Sequence, residues 1–316
     1  MTGTPPLPGP ATRRDRGWPR ALALLGITLA ISVVQPSVLV GVPFLALGLV
    51  LGLRRMGAFL AAVVLGVLVL GGPDRDALWF LERGWALLVA GWFVALTLRR
   101  PSATFSSRAL SAVVGAGAVA ALLVGMRSGG WGSVQWTMEQ RMNEGISTAL
   151  EAFRLLRGGG ALPPALVTAV YETLELQAMV FPAVLGIASM GGLGAAWWGY
   201  VRLTSGSDRG LGPLREFRFN DHLVWVFITG LLLVLPRWGE VVARLGANVV
   251  VFMGALYAVR GAAVILFLSG GLSLLGYVLL VFGLLFVPPL VLMGALVIGL
   301  GDTWLDVRSK AGSGAA

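Results

Sequence analysis

Long apolar runs, parted by short basic or glycine- and proline-rich stretches, dominate the chain. They lie at about 21–35, 37–53, 57–72, 77–98, 108–126, 178–202, 222–235, 241–269, 272–287 and 288–301. A helix needs about 20 apolar residues to cross a hydrocarbon core about 30 Å thick. Membrane β-strands would instead alternate over segments of about ten residues. The pattern predicts an all-α, polytopic transmembrane helix bundle of about 8–10 membrane segments, some short or broken, with an outer amphipathic helix. The stretches 21–53 and 272–301 are short for two crossings each. Pro36 and Pro43 interrupt the first, Pro288 and Pro289 the second, so each is either a hairpin or one broken helix.

This pattern divides the chain into a disordered basic tail (1–20), N-terminal membrane helices (21–126), an outer amphipathic segment (127–177), C-terminal membrane helices (178–301) and a cytoplasmic tail (302–316). A cleaved export signal is the rival reading of the N-terminus. No small-x-small site clearly follows the first apolar run, so retention is expected.

Arginine placement orients the bundle. If all ten runs cross and the N-terminus is cytoplasmic, fifteen basic residues fall on inner segments and six on outer ones. The rest, Arg83, Arg244 and Arg260, lie within runs. The excess predicts both termini on the cytoplasmic side, in a bacterial inner membrane.

Composition sharpens this picture. The chain is 57% hydrophobic and 12% charged, against roughly 25% charged in soluble domains. There is no cysteine, one histidine (His222) and one lysine (Lys310). A thiolate zinc site, a two-histidine zinc motif and a phosphate-binding loop are thereby excluded. Nucleotide energy would have to come from a separate ATPase. No catalytic set emerges, so the chain is expected to be neither an enzyme nor the holder of a cofactor or metal. The net charge of +9 does not signal nucleic acid, because the arginines flank apolar runs; the expected partners are the bilayer and other membrane proteins.

Several polar features could carry chemistry. In 134–157, Met138, Met142, Ile146, Leu150, Phe153 and Leu156 recur every three or four residues, an amphipathic helix that lies on the membrane, caps the bundle or meets a partner. Gly158–Gly160 ends it and Pro163–Pro164 opens the next helix. Tyr171, Glu172 and Glu175 sit just ahead of an apolar run; the two carboxylates share one face and either line the mouth of a ligand cavity or form a solvated face. The loop 203–221 reads as an interfacial ramp whose arginines meet lipid phosphates, with His222 structural.

Arg260 is harder to place. In a continuous 241–269 helix it lies beyond comfortable snorkelling, needs a carboxylate or carbonyl partner, and becomes a candidate for a ligand cavity. If the spans are instead 242–259, 261–280 and 282–301, it reaches the surface. At the C-terminus, Gly301 is expected to end the last helix and Asp302 to cap a new turn. Trp304 suits the headgroup layer. Asp302–Asp306, Asp306–Lys310 and Trp304–Arg308 are spaced i,i+4, so a short helix would set Arg308 against the Trp304 ring as an interfacial anchor.

Gly299, Asp302, Trp304, Asp306 and Arg308, with LREFRFNDHLVW (214–225) and YAVRGAAV (257–264), resemble segments of the YybS-like family of uncharacterised bacterial membrane proteins. The resemblance covers roughly 165–310. It implies a broad plan similar to the substrate-binding membrane subunits of energy-coupling-factor transporters and to the rod-shape protein MreD. It implies no role for Arg260, where that family often has glutamine. Two functions follow as expectations: a small-molecule-binding or transport subunit served by a separate ATPase, or a scaffold that organises proteins of cell-envelope growth or division.

Overall fold

The computed structural model describes residues 24–25, 34–70, 77–127, 163–205, 211–235, 239–271 and 273–313, with scattered positions between 129 and 155. The tail 1–20, most of 21–35 and most of the amphipathic helix expected in 134–157 lie outside the described residues. All regular structure among the described residues is helical. The helices are α1 (Pro36–Leu51), α2 (Arg55–Leu70), α3 (Ala77–Arg99), α4 (Phe105–Gly125), α5 (Pro164–Ser205), α6 (Val224–Val234), α7 (Glu240–Leu268), α8 (Leu274–Phe286), α9 (Pro288–Leu305) and α10 (Val307–Ser313).

Among the described residues, five apolar stretches are long enough to cross a membrane: Trp79–Arg99, Phe105–Gly125, Leu176–Thr204, Glu240–Leu268 and Pro288–Leu305. Their outward faces carry large apolar side chains such as Leu122, Val241 and Leu290. In water such a surface would drive aggregation; in hydrocarbon it is the solvated face. The fold is a polytopic α-helical bundle.

Two apolar cores organise it. Leu47 of α1, Phe93 of α3, Ala112 and Ala116 of α4 and Leu193 of α5 pack into the first. Val224 and Phe227 of α6 and Met253, Leu256 and Tyr257 of α7 form the second, flanked by Leu296 and Leu300 of α9. Helix α5 touches all four preceding helices and also α7, so it joins the two cores. It is 42 residues long, about 63 Å at 1.5 Å per residue. It runs unbroken across residues 177–178, where composition changes from outer segment to membrane helix.

The joint rests on a proline. Pro182 lies inside α5; lacking an N–H, and with a ring that crowds the preceding turn, it opens the hydrogen-bond ladder. The Asn248 amide of α7 enters the gap. Its Oδ1 accepts from the Ala183 N–H at 2.9 Å, and its Nδ2 donates to the Met179 carbonyl at 2.7 Å. Ala183 and Met179 are the i, i−4 pair that an unbroken helix would have joined directly. The same proline that weakens α5 therefore docks α7 onto it.

Helices α7 and α9 touch backbone to backbone. A Cβ on Gly261 would strike the Ala295 carbonyl, and one on Gly299 would strike the Tyr257 carbonyl. Only hydrogen fits at either position, the small-residue packing typical of membrane helices.

Of the two partitions open for 241–301, the continuous one is observed: α7 spans Glu240–Leu268 and holds Arg260 inside. The stretch 272–301 forms two helices that meet at Val287, in a bend tight enough to bring Gly283 against Val291. One expectation is corrected. Gly301 does not end the last helix; α9 continues through Asp302 to Leu305 and stops at Asp306, which adopts the left-handed conformation (φ 40°, ψ 53°). Aspartate tolerates that region better than most residues, and the buried contacts of Asp302 hold the extra turn in place.

Two outcomes are expected from unfolding titrations in detergent. Asn248→Leu costs about 1–2 kcal/mol, and less in a Pro182→Ala background, where α5 can close its own Ala183–Met179 bond. Gly299→Val costs about 1–3 kcal/mol by overpacking, whereas Gly294→Val, at a glycine whose added Cβ meets nothing within 4 Å, is far milder.

Candidate functional site

A guanidinium inside an apolar helix is costly unless protein supplies its counter-charge. Arg260 is 2% exposed, eight residues short of the end of α7, about 12 Å along the axis. Two carboxylates reach it. Asp302, on the last turn of α9, is 1% exposed, and its Oδ2 accepts from Arg260 Nε at 3.0 Å. The same oxygen accepts from Arg308 Nη2 at 2.7 Å. Asp221, in the loop ahead of α6, accepts from Arg260 Nη1 at 2.5 Å.

The lattice extends through Arg308, which is 5% exposed. Its Nη1 donates to the main-chain carbonyls of Arg215 (3.2 Å) and Phe217 (3.0 Å). The left-handed turn at Asp306 makes this possible, because it swings α10 back towards the loop and α7. Aromatic rings pack the remaining sides: Phe219 lies under the Arg260 guanidinium, 5.5 Å from its carbon, and edge-on to Tyr257. Two guanidiniums and two carboxylates neutralise one another. Asp302 Oδ1, Arg308 Nε and the Tyr257 hydroxyl are buried without a hydrogen-bond partner, so the interior keeps three polar atoms able to take water or another ligand.

Outside this interior, Arg218 Nη2 meets Asp306 Oδ1 at 2.8 Å, both half-exposed. Hydrogen bonding from Ser309, and then the Arg218 guanidinium, hold the Asp306 carboxyl below the usual carboxylate range. Such a group contributes its stability above the ordinary carboxylate pKa and loses it as pH falls through the lowered value.

The residues singled out from sequence separate into two sets. Arg260, Asp302 and Arg308 come together, with Asp306 at the rim. The expected stacking of Arg308 on Trp304 is corrected: the helix breaks at Asp306, Arg308 turns inward to Asp302, and Trp304 is left 66% exposed. Asp302 is thus a buried counter-ion and not a cap. Glu172 is exposed on α5 and takes no part in the Arg260 lattice; the side chains of Tyr171 and Glu175 lie outside the described residues. Asp221 falls in the sequence within the basic ramp 203–221, and only its place among the few carboxylates near α7 marks it as a counter-ion for Arg260. Arg83 donates to the carbonyls of Trp79 and Leu68, and so ties α3 to α2. The open hollow between α6 and α7, about 240 Å³, is lined by Trp225, Val226, Thr229, Gly230, Leu233 and Val249 and does not reach the lattice.

The family model described as "Predicted membrane protein (DUF2232)" matches residues 20–303. The match includes Asp302 and stops ahead of Trp304, Asp306 and Arg308. No curated protein and no solved structure matches the chain.

Removing one partner of a buried ion pair strands the other charge. Asp302→Asn is expected to cost about 3–5 kcal/mol of unfolding free energy, with Arg260→Met and Asp302→Asn strongly non-additive in a double-mutant cycle. Asp306→Asn, at the solvated rim, should change little in the same unfolding measurement.

Proposed function

Because the chain belongs to the DUF2232 family of membrane proteins, we propose that it acts at the bilayer as a scaffold: a multi-pass bacterial inner-membrane protein that presents a rigid cytoplasmic platform to other membrane or envelope proteins. The observation that carries this reading is the Asp302 carboxylate, shared by Arg260 and Arg308. Through it α7, the end of α9, α10 and the loop 211–223 become one body. Loops at a bilayer surface are ordinarily mobile; a loop pinned by buried charge presents a fixed arrangement of groups, which recognition by a partner requires.

The exposed rim of that body carries Arg215, Glu216, Arg218, Asp221, His222, Trp304 and Asp306. It mixes both charges with one large aromatic ring, a composition suited to a protein surface. The arginine excess on the same segments supports a cytoplasmic placement. No catalytic role is assigned to these groups. The transport reading shares the platform, since a substrate-binding subunit also needs a surface that couples it to an ATPase. It additionally requires a ligand cavity, and the α6–α7 hollow is open and almost wholly apolar.

Copurification of the full chain in mild detergent tests the proposal. Proteins of envelope growth or division are expected with the wild type. The paired exposed substitutions Arg215→Glu and Trp304→Ala should reduce their recovery at least fivefold while leaving the unfolding midpoint in place. Recovery of an ATPase pair would establish the transport reading instead. Recovery of envelope proteins unaltered by those substitutions would show that the platform is not the docking surface.

A further inference from the structure

Unlike Arg260 and Arg308, the buried Arg108 has no counter-ion. Arg108, in the first turn of α4, is 7% exposed, yet no side-chain hydrogen bond or ion pair accompanies it among the described residues. Its neighbours are ring faces: its guanidinium carbon lies 4.8 Å from the Trp197 ring centre and 5.7 Å from that of Phe93. Nε is sealed from the surface without an acceptor. Ring faces attract a cation but fill none of its five N–H donors.

The surroundings are short of anything that could fill them. Trp197 packs on Tyr200, whose hydroxyl donates to the Gly52 carbonyl, so the ends of α1, α3 and α5 meet the start of α4. This end of the bundle carries Arg54, Arg55, Arg99, Arg100, Arg108 and Arg202. The acidic residues of α1–α5 stand far from it: Glu82 is near the far end of α3, about 25 Å from Arg99 along the helix, and Glu172 and Glu175 of α5 are about 40 Å or more from Arg202. The opening turn of α4 adds donors. Ser107 N–H is taken by the Thr104 hydroxyl, while the N–H groups of Phe105 and Ser106 have no acceptor within the helix, and the helix dipole favours an anion there. A buried guanidinium and two free N–H groups thus share the first turn of α4.

We propose that Arg108 and the first turn of α4 bind the phosphate diester of an anionic phospholipid, with Arg99 and Arg100 at the rim. A lipid suits the place: exposed Leu98 leads into exposed Arg99 and Arg100 at the end of α3, a margin that takes a headgroup phosphate on its basic side and acyl chains on its apolar flank. A phosphate oxygen pair also matches the planar fork of arginine better than the point charge of lysine.

Native mass spectrometry of the full chain tests this with phosphatidylglycerol and phosphatidylcholine as probes. The wild type should retain phosphatidylglycerol at least tenfold better than phosphatidylcholine. Arg108→Gln should abolish most of that preference, Arg108→Lys should keep only part, and Arg54→Gln, at an exposed position outside the proposed site, should keep nearly all. Should Arg108→Gln fail to fold, the lysine variant and the wild-type lipid preference still decide. Equal retention of the two lipids by the wild type overturns the proposal, as does unchanged preference in a folded Arg108→Gln. Binding of inorganic phosphate without lipid preference would overturn the lipid assignment.

Discussion

Burying the Asp302 carboxylate obliges the chain to bring two guanidiniums to it, and much of the C-terminal half follows from that demand. Arg260 alone would be intolerable so far inside α7; Asp302 alone would be intolerable inside α9. Together, with Arg308 and Asp221, they form a neutral set whose desolvation is offset only when all members are in register. The glycine contact between Gly261 and Gly299 is the steric side of the same arrangement, since the helices must approach closely for the charged groups beside those glycines to meet.

Arg260 and Arg108 show two solutions to the problem of a buried guanidinium. Arg260 draws its counter-charges from sequence positions 39 and 42 residues away. Arg108 rests among rings, with no carboxylate bonded to it among the described residues. The first arrangement closes on itself and lends rigidity. The second is open, and asks for something from outside the chain.

How much of this is legible in the sequence follows from dimensionality. Run length and arginine position are properties of a line, so the helical membrane fold and the need of Arg260 for a partner are both readable from residues 241–269. The partners themselves are not, because Asp221 and Asp302 lie on separate segments and pairing is a property of three dimensions. Short-range spacing even misleads: the i,i+4 register of Trp304 and Arg308 suggests a surface anchor, but a single left-handed residue at Asp306 reverses the direction of Arg308. Arg108 is hidden for the opposite reason. It stands among other basic residues at a helix start, where the ordinary inference is a solvated flank, and only the packing of Phe93 and Trp197 reveals that it is enclosed. Asn248 carries no sequence signal by itself; paired with Pro182 it becomes the joint of the molecule.

Helix α5, about 63 Å long, is roughly twice the thickness of a hydrocarbon core. A beam of that length cannot be contained by the membrane it crosses, so part of it stands clear in the aqueous phase. It is gripped by both apolar cores and interrupted at its internal proline, where a neighbouring helix holds the break. The Asn248 amide and the packing of Phe252 against Gly186 both bind α7 to α5 beside the break, so a displacement of α5 at the proline is also a displacement of α7.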